Sequence, residues 1–216
     1  MILFPSEIAF AIGVMELFAA LIAGMITFYS FRAYTLGSKC LSFFSLGFLS
    51  LTLALLLGSY TLISTYVGRC GRHVGYLGPK GGFGWSWVQE PSWTWALYLL
   101  LFPISYILIS LSYMESFKFQ ALIGFPWKWI PLTEFKFKIL ADVFSLIPLS
   151  YIIWKTSSRK GHLCLPFIAF LLMATSHVLM AASFFLNLFS FYLLAEFARP
   201  LAFIPMLIAV ERSMKE

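Results

Sequence analysis

Five long apolar stretches, set apart by short polar or glycine-rich runs, organise this chain. Ile8–Phe31 contains one charge, Glu16, and Leu41–Val67 and Trp93–Met114 contain none. A helix that crosses a bilayer needs about 20 mostly apolar residues, so each of these predicts a spanning helix. Ile139–Trp154 is shorter. It lengthens through Phe135 and Phe137 if Lys136 and Lys138 snorkel to the surface. The run from Leu163 to Val210 is too long for one crossing. Asn187, inside Leu186–Ser190, supplies turn chemistry and predicts a tight hairpin of two helices.

A further segment, Phe119–Leu132, reads FQALIGFPWKWIPL. It is apolar but short, interrupted by proline, and carries Lys128 between Trp127 and Trp129, a pattern suited to an interfacial anchor. The pattern as a whole predicts an all-α, polytopic transmembrane helical bundle. It has six clear spans and a weak seventh over 119–134. The 216 residues read as one membrane domain, 1–216, with a Gly/Trp-rich loop at 68–92.

Composition narrows the class. Charged residues make up 11% of the chain and hydrophobic ones 61%. Soluble domains carry about 25% charge, so this chain lacks the charge to cover a water-facing surface. The expected surroundings are the lipid bilayer. The formal net charge of +6 sits in short loops, where it reads as topology information and contact with anionic headgroups, not as a nucleic-acid footprint. Cys40, Cys70 and Cys164 form no C-x-x-C pair and are odd in number, against a disulfide framework. The opening MILFPSEIAF has no basic residue and no small-residue cleavage site, so the first span is expected to be retained.

Lys155, Arg159 and Lys160 precede the closing hairpin, and Arg212 and Lys215 follow it. A hairpin puts both groups on one side, which the positive-inside rule makes cytoplasmic. Basic residues over the remaining loops do not choose between six and seven crossings. Depth does. At about 1.5 Å per residue, seven crossings bring Glu16, Asp142, His177, Glu196 and Arg199 into one half of the bilayer, where they satisfy one another. Buried charges need partners, so the expectation is seven crossings, with the N-terminus outside and the C-terminus cytoplasmic.

These five residues are the candidate site, an intramembrane polar cluster. Glu16 is expected to pair with Arg199 or His177. Glu196 and Arg199 are three apart on one helical face, and Pro200, then Pro205, mark potential breaks of the kind found at transporter sites. Asp142 reads as an anion favoured by a helix start. His177 is the one histidine inside a span, whereas His73 and His162 lie in loops, which argues against a bis-histidine haem. No metal-ligand set, catalytic motif or nucleotide loop occurs, and no cofactor or metal is expected. The loop GRCGRHVGYLGPKGGFGWSWVQEPS offers Arg69, Arg72, His73, Lys80, Trp85 and Trp87 as a docking surface for a partner or anionic ligand. Gly24, Gly47, Gly58 and Ala19, Ala20 and Ala23 give small faces for close helix contact.

Two segments, ELFAALIAGMITFYSFRAY at Glu16–Tyr34 and the run from Trp154 through Leu179, loosely resemble small archaeal and bacterial seven-helix membrane proteins, including the membrane parts of some sensory proteins. The resemblance implies a module that senses or scaffolds. The leading expectation is a non-enzymatic integral membrane module acting through protein partners, as a subunit of a larger complex or a receptor-like element. A small proton-coupled or anion transporter built on the polar cluster is the alternative. A quinone- or haem-associated redox subunit ranks last.

Overall fold

The computed structural model describes residues 6–36, 41–70, 93–113, 134–157, 165–186 and 188–213. Six helices account for them: α1 (Ser6–Thr35), α2 (Leu41–Cys70), α3 (Trp93–Ser112), α4 (Glu134–Ser157), α5 (Leu165–Leu186) and α6 (Phe189–Ser213). No strand occurs among the described residues. Four helices, α1, α2, α5 and α6, are long and apolar enough to cross a membrane, and α3 contributes the shorter apolar stretch Leu100–Ser112.

Boundaries follow local chemistry. Thr35 Oγ1 donates to the Arg32 carbonyl at 2.7 Å and closes α1. The α5–α6 turn is as tight as its sequence predicts, with Leu188 N–H donating to the Ser183 carbonyl at 3.1 Å. One boundary differs from expectation. α2 runs on to Cys70, so Gly68 and Arg69 are helical and not part of a loop. α4 begins at Glu134, so the lengthening through Phe135 and Phe137 takes place. The weak-span segment lies outside the described residues apart from Glu134, as does the rest of the Gly/Trp loop beyond α2.

Each helix packs on the next, and α6 returns to α1, closing a ring. Small residues set the closest approaches. A Cβ at Gly47 would meet Ile109 Cγ1 at 2.6 Å, and the Ile109 nitrogen and Ser105 oxygen at 2.9 Å, so the α2 backbone rests directly on α3. Ala19, Ala20 and Ala23 are at most 1% exposed. Outward positions carry Phe18, Leu21, Phe28, Tyr60, Ile147 and Trp154, each more than half exposed. Such a surface suits lipid and not water.

Helix directions follow from contacts between named residues. Ser59 Oγ reaches the Gly13 carbonyl and Ser45 Oγ the Thr27 carbonyl, so α1 and α2 are antiparallel. Contacts of α3 with α5 pair Tyr106 with His177 and Tyr113 with Phe170, again antiparallel. Asp142 touches His177, so α4 meets α5 at that level. If α4 and α5 were parallel, Ser157 and Leu165 would stand about 40 Å apart at about 1.5 Å per residue. The eight steps between them reach at most about 29 Å, so α4 is antiparallel to α5 and runs the same way as α3. Ser112 therefore lies about 9 Å to one side of the Tyr106–His177–Asp142 level, and Glu134 about 12 Å to the other. Ile12 clusters with Tyr192 and Ala195, and Glu16 meets Arg199, so α1 and α6 are also parallel.

Gly47→Ala is expected to lower stability by about 1–3 kcal/mol through overpacking against backbone atoms. Gly24→Ala, whose Cβ would meet only Thr52 Cγ2 at 3.7 Å, should be neutral or mildly stabilising. Thermal unfolding in detergent compares the two, and equal losses would show that the α2–α3 approach is not limiting.

Candidate functional site

All five residues of the expected polar cluster are buried: Glu16 3%, Asp142 7%, His177 1%, Glu196 2% and Arg199 3% exposed. They form two groups. In the first, Arg199 Nη1 donates to Glu16 Oε1 at 3.3 Å and to Glu196 Oε2 at 3.2 Å. The Tyr98 hydroxyl donates to the same Glu16 oxygen at 3.1 Å. In the second, His177 Nδ1 bonds Asp142 Oδ1 at 2.7 Å and Nε2 bonds the Tyr106 hydroxyl at 3.1 Å. Glu16 thus pairs with Arg199, and His177 belongs to Asp142.

Phe102 separates the groups. The Arg199 guanidinium lies over its ring at 5.1 Å, and the His177 ring meets it edge-on at 6.0 Å. A desolvated cation over an aromatic face is worth about 2 kcal/mol. Tyr98, Phe102 and Tyr106 repeat at four-residue steps, so α3 presents one aromatic stripe to both groups. That stripe escaped the reading for charges. Its signal is visible: two tyrosines on one face of a mostly apolar helix, each needing a partner for its hydroxyl.

Gly58 was expected only as a small packing residue. A Cβ there would fall on Glu16 Oε2 and within 2.7 Å of the Tyr98 ring. Its missing side chain is the space that the carboxylate occupies.

Two expectations change. Asp142 does not sit at a helix start. With α4 beginning at Glu134 it lies eight residues in, beyond the first turn where the dipole acts, and His177 supplies its stabilisation. The prolines do not break α6, which is continuous from Phe189 to Ser213. Pro200 still lacks the N–H that would bond the carbonyl of Glu196 itself.

Buried side chains flank the layer along the bundle axis. One to two turns before Glu16 and Arg199, Ile12, Met180, Tyr192 and Ala195 pack together. One turn after, Ala19, Ala20 and Phe203 join the main core, where Phe203 meets Phe48 across the ring at 6.3 Å. Some polar capacity remains unused within the protein. Glu196 Oε1, Asp142 Oδ2 and Arg199 Nε are buried and have no protein hydrogen-bond partner. No group of three or more metal-ligating side chains occurs among the described residues. Of the docking-loop candidates, Arg69 lies in the last turn of α2, and Arg72, His73, Lys80, Trp85 and Trp87 lie outside the described residues.

No family model matches the chain, and no curated protein or solved structure matches it either.

Arg199→Leu leaves two carboxylates against each other in an apolar interior and is expected to cost about 3–5 kcal/mol. Glu16→Gln keeps an acceptor for Tyr98 and Arg199 and should cost clearly less than Glu16→Leu. Unfolding titrations in mixed micelles rank the three variants, and a Gln variant as damaging as Leu would contradict the pairing. Gly58→Val should mimic Glu16→Leu in the same assay, since it displaces the carboxylate.

Proposed function

We propose that the chain is a non-enzymatic integral membrane module that crosses the bilayer seven times and acts through protein partners in the membrane, as a complex subunit or receptor-like element. The observation that supports this reading is the burial of the polar layer, whose five residues are each at most 7% exposed. A carrier needs a wet path to the midplane. A packed layer instead holds helices in register and leaves the outer faces for contacts.

The seventh crossing is supported by the shared direction of α3 and α4. The chain between Ser112 and Glu134 has to make up about 21 Å along the bundle axis. The weak span over 119–134, sixteen residues, would cover about 24 Å as a helix, enough for that offset. Seven crossings put the termini on opposite sides, with the basic ends of α4 and α6 in the cytoplasm. The resemblance to small seven-helix membrane proteins fits this count.

A proton-coupled or anion carrier is the second reading. The unpartnered Arg199 Nε and Glu196 Oε1 favour it. A haem-linked role has less support, because both ring nitrogens of His177 are already engaged.

Cysteines placed at Ser6 and Lys215, with Cys40, Cys70 and Cys164 changed to serine, should label from opposite sides of sealed vesicles. Labelling from one side would overturn the seven-crossing reading. Affinity purification in mild detergent after membrane cross-linking should recover a stoichiometric membrane protein, and reconstituted vesicles should show no proton or anion flux above empty ones. Flux that Arg199→Ala abolishes would establish the carrier instead.

A further inference from the structure

Three of the glycines inside α1 and α2 are explained by packing. A Cβ at Gly13, Gly47 or Gly58 would come within 3.0 Å of a neighbouring atom. Gly24 is different. A Cβ there would meet only Thr52 Cγ2 at 3.7 Å, an ordinary contact. Beside it, between α1 and α2, lies a cavity of about 370 Å³, within the range of about 300–1,000 Å³ common for small-molecule sites. Ala20, Gly24 and Thr52 form its inner side, while the exposed side chains of Leu21, Phe28 and Leu56 border its outward side. Thr52 Oγ1 donates to the Phe48 carbonyl at 2.8 Å. With that hydroxyl spent, the lining is almost wholly apolar. The cavity is thus a groove on the lipid-suited face, between two helices long and apolar enough to cross a membrane. Its chemistry calls for a hydrocarbon chain.

Charge says which hydrocarbon. Arg32 lies in the last turn of α1, one turn beyond Phe28. Leu21, Phe28 and Arg32 repeat at helical spacing, so the arginine shares the face of α1 that borders the groove. Its side chain is exposed and has no ion-pair partner among the described residues. A guanidinium about 6 Å along the axis from Phe28, at the mouth of an apolar groove between helices, matches the phosphate of an anionic phospholipid. A second copy of the chain fits less well. Two copies in one membrane orientation would pair about a two-fold axis along the bilayer normal, which sets groove against groove and brings two Arg32 charges to the same level. We propose that the α1–α2 groove holds one acyl chain of an anionic phospholipid from the surrounding bilayer, with its phosphate bound by Arg32. The site rests on α1 and α2 lying in the bilayer, and not on the reading as a partner-dependent module.

Native mass spectrometry tests this on the delipidated chain in detergent, titrated with palmitoyl-oleoyl phosphatidylglycerol or phosphatidylcholine. The wild type should bind one phosphatidylglycerol with about fivefold preference over phosphatidylcholine, the worth of one basic residue at a lipid surface. Arg32→Gln should bind the two lipids equally. Gly24→Leu and Leu56→Trp fill the groove from opposite walls, and each should lose most of the binding of both lipids. Circular dichroism checks the fold of each variant. The comparison of wild type with Arg32→Gln stands even if both groove variants fail to fold. The proposal is overturned by equal binding of the two lipids to the wild type, by a preference that survives Arg32→Gln, or by unchanged binding in a folded groove variant. A lipid-free wild-type dimer that Gly24→Leu converts to monomer overturns it too, and assigns the groove to a second copy. Counting bound lipid is independent of partner capture and of flux, so failure here leaves the proposed module standing.

Discussion

Arg199 is 3% exposed and has to be neutralised inside the bundle, and most of the interior follows from that requirement. Its Nη1 is shared between a carboxylate on its own helix and one on α1. The i,i+3 partner Glu196 makes α6 nearly self-compensating. Glu16 ties that helix to α1 and fixes their relative height. A slip of α1 by one turn, about 5.4 Å, would strand Glu16 against alanines and leave Tyr98 without its acceptor. Gly58 exists for the same constraint, since only a residue without Cβ lets α2 pass behind the carboxylate. Apolar packing alone does not choose between such slips, because the surrounding helix faces are nearly uniform and lipid is as apolar as the core. The polar contacts supply the discrimination.

The Asp142–His177–Tyr106 group does the corresponding work on the other side of the ring. Polar partners come from α1, α3, α4, α5 and α6, while α2 contributes the gap at Gly58. Five helices are therefore registered against one another by two small groups, and Phe102 is the wall between them. With Nδ1 donating to Asp142, Nε2 accepts the Tyr106 proton when His177 is neutral and donates to the hydroxyl when it is protonated. Either state satisfies the geometry, which makes this half tolerant of the histidine's charge.

Much of this was legible in the chain. Helix positions followed from runs of about 20 apolar residues, and the α5–α6 turn from Asn187 in an otherwise unbroken run. That Glu16, Asp142, His177, Glu196 and Arg199 seek one another followed from the cost of charge at depth. What was not legible has physical reasons. Which acid takes which base depends on helix order around the ring, and a linear pattern does not contain that order. Asp142 was assigned to a helix start because its partner His177 is 35 residues away in sequence, and the lengthened α4 leaves it eight residues in. Tyr98, Phe102 and Tyr106 were overlooked because aromatic residues are so abundant here that a stripe at four-residue spacing does not stand out. Gly58 was read as generic packing, since nothing nearby in sequence marks the carboxylate that it accommodates.

The buried layer also bears on the choice between the proposed module and a carrier. A carrier moves its polar groups between two wet cavities. Here the apolar layers on either side make such exposure expensive, whereas a change confined to the layer is cheap to accommodate by shifting whole helices. α1 and α6 are the natural pair to shift. They run in parallel, their contact closes the ring, and one charge interaction joins them at mid-depth. Their outward faces, with Leu21 and Phe28 on one and Phe197 and Leu201 on the other, would carry any displacement directly to a neighbour in the membrane.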